Sequence, residues 1–359
     1  MKRYCIMLAL LSLLLFGACS SKRPFVTGGI FPIIIGPDHW GYIDKSGTVV
    51  INPQFRQASF FFEDLAAASI DGRKFGYIDK KGNFVINPQF DQARPFSDGL
   101  AAVVMDQKLG FIDKTGKLII TCQFETGGGE FGSAVFSEGL AAVSSGEKCG
   151  FIDKAGSFVV NPQFKTCLPF YDSLAPVEID DKWGYVDRSG KLVITPQFDK
   201  AFPFTSGLGL VKSGSKYGFV DKSGQFKINP QFDTATPFSD EGIAGVRVGD
   251  KWGGIDQSGN FVINPQFNGN DLDTPDGRFV SDILDKDIGR VTFSEGLAPV
   301  KIGDKSGYID RAGHFVINPQ FDLALPFIDG LALVAKGHGP GAELGWIDRT
   351  GKYVWKRAP

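Results

Sequence analysis

Nine aspartates offer most of the chemistry in this chain: Asp44, Asp79, Asp113, Asp153, Asp187, Asp221, Asp256, Asp310 and Asp348. Each is followed three residues on by a glycine, at Gly47, Gly82, Gly116, Gly156, Gly190, Gly224, Gly259, Gly313 and Gly351. Carboxylates in such number suggest a cation site or the paired acid and base of a glycosidase. A catalytic centre, however, needs unlike polar groups converging on one spot, whereas here one group recurs in one frame. An aspartate opening a tight turn accepts the backbone N–H two residues on, and a glycine closing it takes the positive φ of a type I turn followed by a bulge. The aspartates are therefore expected to form turns. His39, His314 and His338 share no triad or metal-ligand spacing, and Gly127 to Gly129 lack the Lys-Ser/Thr of a phosphate loop. DLDTPDG, near residue 271, carries Pro275 where an EF-hand places a ligand. These readings predict no enzyme, no metal and no cofactor.

The elements that place the aspartates follow from recurrence. WGYIDKSG (40–47) returns as KFGYIDKKG, KLGFIDKTG, KCGFIDKAG, KWGYVDRSG, KYGFVDKSG, KWGGIDQSG, KSGYIDRAG and ELGWIDRTG, nine copies in all. Most first glycines are 34 or 35 residues apart, a period that signals a repeat architecture. Short β-branched and aromatic runs flank each turn, Tyr77 and Ile78 before it and Phe84 to Ile86 after it, and predict the arms of a hairpin. Pro88 and its equivalents are expected to end the second arm, and Leu100 to Val104 to form a third strand leading into the next copy. With 46 Gly and 33 Phe against 3 Met and 3 His, the fold class is all-β: about nine three-stranded repeats of roughly 35 residues. They are expected to form an open solenoid or superhelix. The alternative is a closed β-propeller-like ring, in which Phe31 to Ile35 completes the truncated last copy. The first glycine of each copy is expected to make room for a neighbouring ring such as Trp40, Trp183 or Trp252. Those rings are read as core, with a sugar-stacking platform as the rival.

The order Trp-Gly, Tyr-Ile-Asp, Gly, Asn-Pro-Gln-Phe resembles the bacterial WG repeat, also described as the KWG repeat, over nearly the whole chain after its leader. Leu109, Cys149, Ser306 and Leu344 depart from it at the Trp position, and Thr121 and Cys122 at Asn-Pro. The resemblance implies a repeat fold found beside many different partners and is almost silent on activity. A second resemblance lies at the start. Lys2 and Arg3, an apolar run from Ile6 to Phe16 and LLFGACSSK are similar to the signal peptide and lipobox of bacterial lipoproteins. On that reading 1–18 is the signal peptide, Cys19 takes the lipid, 19–29 is a linker and 30–359 is the repeat array. Phe16 stands where the lipobox usually has Leu, and ordinary cleavage after Ser20 is the other reading. The run is too short to span a bilayer, which takes about 20 apolar residues.

With Cys5 removed and Cys19 lipidated, Cys122, Cys149 and Cys167 remain. Cys149 and Cys167 lie in one repeat and could pair as a disulfide, and buried thiols are the alternative. Insertions near 125–135 and 268–292 are expected as surface loops, sites where binding often occurs in stacked arrays. The 38 basic and 40 acidic residues give a net charge of −2 and no electrostatic reason for a nucleic-acid partner. The expected function is that of an exported lipoprotein of the bacterial cell envelope, with the outer membrane favoured. It is read as a non-catalytic binding or scaffold module for a protein or glycan. A structural or assembly component without its own ligand is the second reading, and an envelope glycosidase the third.

Overall fold

A computed structural model describes residues 28–36, 39–126, 134–268, 292–337 and 342–357. The leader, Cys5, Cys19, His338 and the bodies of both insertions (127–133 and 269–291) lie outside the described residues. The described chain is all-β and without a helix, arranged as small antiparallel sheets in tandem, mostly of three or four strands. Each sheet has two free edges and none closes into a barrel.

The second repeat shows the pattern. Ala66–Ser69 pairs with Phe75–Ile78, which turns through Asp79 to Gly82 and pairs with Phe84–Phe90. A two-residue strand, Gln57–Ala58, pairs with the far side of Ala66–Ser69. This short strand gives most repeats a fourth member beyond the three expected. The same order holds for Thr166 to Phe198 and Thr234 to Phe267. In the first repeat Ile30–Ile35 pairs with His39–Asp44 of its own hairpin, so this segment is occupied by the first repeat and does not complete the last one. The truncated ninth copy nonetheless forms a full sheet from Leu323 to Lys356.

Proline does not end the second arm. Phe84–Phe90 runs straight through Asn87 and Pro88 to Phe90. The register explains why: Phe75 faces Phe90 and Tyr77 faces Ile86, so three residues, Asn87 to Gln89, bulge opposite Gly76 alone. A proline at a bulge of an outer strand withdraws no ladder hydrogen bond. The bulge also revises the role of the first glycine. A β-carbon on Gly76 would lie 2.2 Å from the Ile86 carbonyl oxygen and 2.7 Å from the Pro88 nitrogen. Eight of the nine first glycines make room for the neighbouring backbone, and only Gly345 makes room for a ring, that of Tyr353, 2.6 Å from where its β-carbon would lie.

Two compact units result, one of Val26–Asp44 and Val49–Phe204, the other of Lys45–Thr48 and Thr205–Pro359. Cores form between successive repeats. In the first unit Leu65, Tyr77, Phe90, Phe96, Val103 and Ile112 make one cluster contributed by consecutive sheets. In the second, Leu297, Tyr308, Phe321, Phe327, Val334 and Ile347 do the same. No repeat buries its apolar face alone, as expected for a stacked array.

Candidate functional site

The nine aspartates sit in hairpin turns. In each of the eight turns from Asp79 to Asp348 the aspartate Oδ1 accepts the N–H two and four residues on, as Asp79 does from Lys81 and Asn83 at 2.9 Å. The closing glycine lies at φ 84° in Gly82 and donates to the Asp79 carbonyl. It also touches the preceding repeat: a β-carbon there would fall 2.7 Å from Cγ2 of Ile51. At Asp221 the carboxyl is lowered to about 2, chiefly by the Ser223 hydroxyl, which outweighs the opposing effect of burial, and then by the Ser223 N–H, Lys227 and the Gln225 N–H. Every donor named comes from its own hairpin. Among the described residues no three His, Cys, Asp or Glu side chains gather as a metal set. His39 is exposed, and His314 lies 3.5 Å from Asp310 within its own turn.

The rings of the motif are core. Tyr or Phe two places after the Trp position packs tilted or edge-on against an aromatic 19 to 25 residues later, with centroids 5.0 Å apart for Tyr42 and Phe61 and 4.7 to 4.9 Å for the rest. Those are Tyr77–Phe96, Phe111–Phe136, Phe151–Phe170, Tyr185–Phe204, Phe219–Phe238 and Tyr308–Phe327. Where the ring is tyrosine, its hydroxyl reaches a backbone carbonyl 17 residues on, as Tyr77 Oη donates to Arg94 O at 2.7 Å. Trp40 and Trp252 are buried and Trp183 half-buried, so the tryptophans build no sugar-stacking platform. Cys149, on strand Lys148–Ile152, and Cys167, on strand Thr166–Cys167 of the next sheet, are buried and joined in a disulfide. Cys122 is a free, half-buried thiol whose pKa is raised by burial and by the charge of Asp106.

Two features lie beyond the sequence reading. One is a second turn in each repeat, after the aromatic of FSDGL, FSEGL, FYDSL or FIDGL. Its acidic residue takes a left-handed backbone, with φ between 49° and 56° at Glu63, Asp98, Glu138, Asp172, Glu295 and Asp329. Its carboxylate reaches the next repeat: Glu63 accepts from Gly99 N, Asp98 from Gly139 N, Glu138 from Ser173 N and Glu295 from Gly330 N, all between 3.0 and 3.3 Å. The recurring acid-glycine pair is the available signal. The other is the face of the outer strands, where the pattern exposed-buried-exposed puts Val85, Asn87 and Gln89 outward around buried Ile86. Equivalent residues are exposed in eight repeats: the aliphatic position is Val50, Val85, Ile119, Val159, Val193, Val262 and Val316, with Lys227 replacing it in the sixth. Within each of the two units, apolar side chains 37 to 49% exposed recur at this one position and are left uncovered by folding.

Sheets stacked through turn glycines, a core shared between neighbours and a polar site repeated at every step define an all-β tandem-repeat protein. The family described as WG containing repeat matches residues 40–73, 75–108, 110–149, 150–183, 183–217, 217–252, 252–269 and 307–337, and the chain belongs to it. No curated protein matches the chain in sequence. Among solved structures, one described as a eukaryotic initiation factor is similar over 92% of this chain and 96% of its own, with 13% identity and a TM-score of 0.59. BamB from Moraxella catarrhalis is similar over 81% of this chain and 95% of its own, with 10% identity and a TM-score of 0.46. At these identities the likeness concerns fold alone.

Proposed function

We propose that the protein is a lipid-anchored scaffold of the bacterial cell envelope whose outer strands bind an extended protein or glycan partner without transforming it. The observation that carries the reading is the exposed Asn or Thr and Gln side chains repeated on eight strands, joined on seven of them by an exposed branched aliphatic. Such a pattern offers apolar contact and amide hydrogen bonds at each repeat, a surface suited to a partner that runs along several repeats. The acids of the hairpin turns are engaged by their own backbone, which supports a role without acid–base chemistry. The anchor rests on Cys19 and its lipobox, and the envelope location with it.

Introducing lysine at Val85, Val159 and Val193 together charges the outer face without touching the core. This variant is expected to keep the wild-type circular dichroism and to lose the partner that the body from residue 20 onward retains from envelope extracts. Retention of the same partner by the variant would remove the outer face from consideration. Cys19→Ser is expected to abolish incorporation of labelled fatty acid into the full chain.

A further inference from the structure

The acids of the second turns obey a rule of distance along the chain. Three of them show it in full: each accepts the N–H of the next such turn and faces a cation carried by a hairpin turn two repeats further on. Glu63 accepts from Gly99 and lies 3.4 Å from Lys114. Glu241, on a turn one residue longer, accepts from Gly296 at 2.5 Å and from Arg311 Nε at 2.8 Å. Glu295 accepts from Gly330 and lies 3.8 Å from Arg349. One carboxylate thus joins three successive repeats. The same two places hold an acid and a base in Asp98 with Lys154, Glu138 with Arg188 and Asp172 with Lys222.

Two joints depart from the rule: beside Lys80 the acid position is Gly28 and the lysine pairs with Asp64 instead, so a charged contact persists there, whereas at the other joint both partners change together. Ser206 stands at the acid position and Gln257 at the position of Lys114, Arg311 and Arg349. What remains is neutral: Gln257 Nε2 donates to the Ser206 carbonyl at 3.3 Å, and Ser206 Oγ lies 3.5 Å from the Ser239 carbonyl. Backbone strain does not explain the change, because Ser206 has φ 51°, within the range of the acidic turns. Loss of the acid alone would strand a cation, and loss of the cation alone would strand a partly buried acid. The paired replacement leaves neither, as it should if the two positions read each other.

We infer that the acid–cation pair is the element by which each repeat recognises its second neighbour, and that its release at Ser206 and Gln257 makes this joint the first to open. Charge-assisted hydrogen bonds are about twice as strong as neutral ones, so a joint whose acid–cation pair is replaced by the neutral Ser206 and Gln257 contacts has the lowest opening free energy among otherwise equivalent joints. The inference stands independently of any partner bound by the outer strands.

Hydrogen exchange on the full chain tests it. In the wild type, strand Leu208–Ser213 is expected to exchange faster than Ala298–Ile302 and Ala332–Lys336, which follow acidic turns. A cycle of Ser206→Glu, Gln257→Arg and the double variant should show the double variant slowing exchange at 208–213 by about two- to fivefold beyond the product of the single effects. That excess should shrink in 1 M salt, where the screening length is about 3 Å. The reverse pair, Glu241→Ser with Arg311→Gln, should speed exchange at Ala244–Val248, the strand that follows the Glu241 turn, and so guards against a failure of the introduced carboxylate to seat. Strictly multiplicative single effects, or a wild-type 208–213 as protected as 298–302, would overturn the inference.

Discussion

Asp221 supports its turn as an anion. Its carboxyl is lowered to about 2 in the fold and titrates near about 3.9 in an unfolded chain. A depressed pKa of this kind contributes stability that is fully present above the unfolded value and is lost as the pH falls through the folded one. Lowered values recur at Asp79, Asp113, Asp187, Asp256, Asp310 and Asp348, so melting temperature should fall steeply between about pH 4 and pH 2 and stay nearly level from about pH 5 to pH 7. Asp221→Asn keeps an acceptor for the turn and removes the charge. Its melting temperature should lie below that of the wild type at neutral pH and converge with it towards about pH 2, so that calorimetry shows a shallower fall on acidification; an unchanged slope would detach the turn aspartates from acid sensitivity. Gly76 makes the opposite demand, for absence of a side chain. Gly76→Ala forces a β-carbon onto the Ile86 carbonyl, where backbone must move, and should destabilise by about 2 kcal/mol or more in urea titration.

The hairpin is readable as an element because its turn chemistry is local: Asp79 and Gly82 act within four residues. The bulge is not, because it depends on which residues of one arm face which of the other, and Asn87-Pro88 reads as a strand end until Gly76 is seen beneath it. The second turn is hidden for a related reason, since Glu63 finds its partner 36 residues away at Gly99 and sequence spacing alone cannot show that contact. The Cys149–Cys167 disulfide belongs to this scale too. In other repeats the same two places, 18 residues apart, hold a ring and a small residue, such as Trp40 with Ala58 and Tyr217 with Ala235. The disulfide thus takes the place of a packing contact. Replacing both cysteines by alanine should cost about 3 kcal/mol, the scale for closing a loop of this length. Cys149→Trp with Cys167→Ala should recover part of that loss under reducing conditions, as read by the urea midpoint. If the Trp–Ala pair is no better than two alanines, the substitution of contact by covalent bond is the wrong description.

Across the whole molecule, stability in an array of this kind approximates a sum of repeat terms and nearest-neighbour terms, so what matters is which turn rests on which strand. The unit of Lys45–Thr48 and Thr205–Pro359 contains an instance that chain order hides. Gly47 lies so close to Val354 that a β-carbon would overlap the Val354 carbonyl, much as one on Gly351 would press on the Ile317 side chain. Lys45 Nζ lies 2.5 Å from Asp329, and Asp329 stands at the acid position of its turn as Glu295 does in the turn before. Turn 45–48 therefore serves this unit as another repeat's hairpin turn would, through a closing glycine set against an outer strand and the same acid–cation pair. Gly47→Ala should consequently raise hydrogen exchange in Tyr353–Lys356, far away in sequence, while Gly82→Ala should act at Val49–Phe55 and leave Tyr353–Lys356 unchanged. Lys45→Ala should be milder, because the ammonium is half exposed and such pairs contribute about 0.2–1 kcal/mol, and its effect should centre on the turn at Asp329. If Gly47→Ala perturbs only its own hairpin, the turn makes no energetic contribution to the C-terminal strands and the shared geometry is incidental.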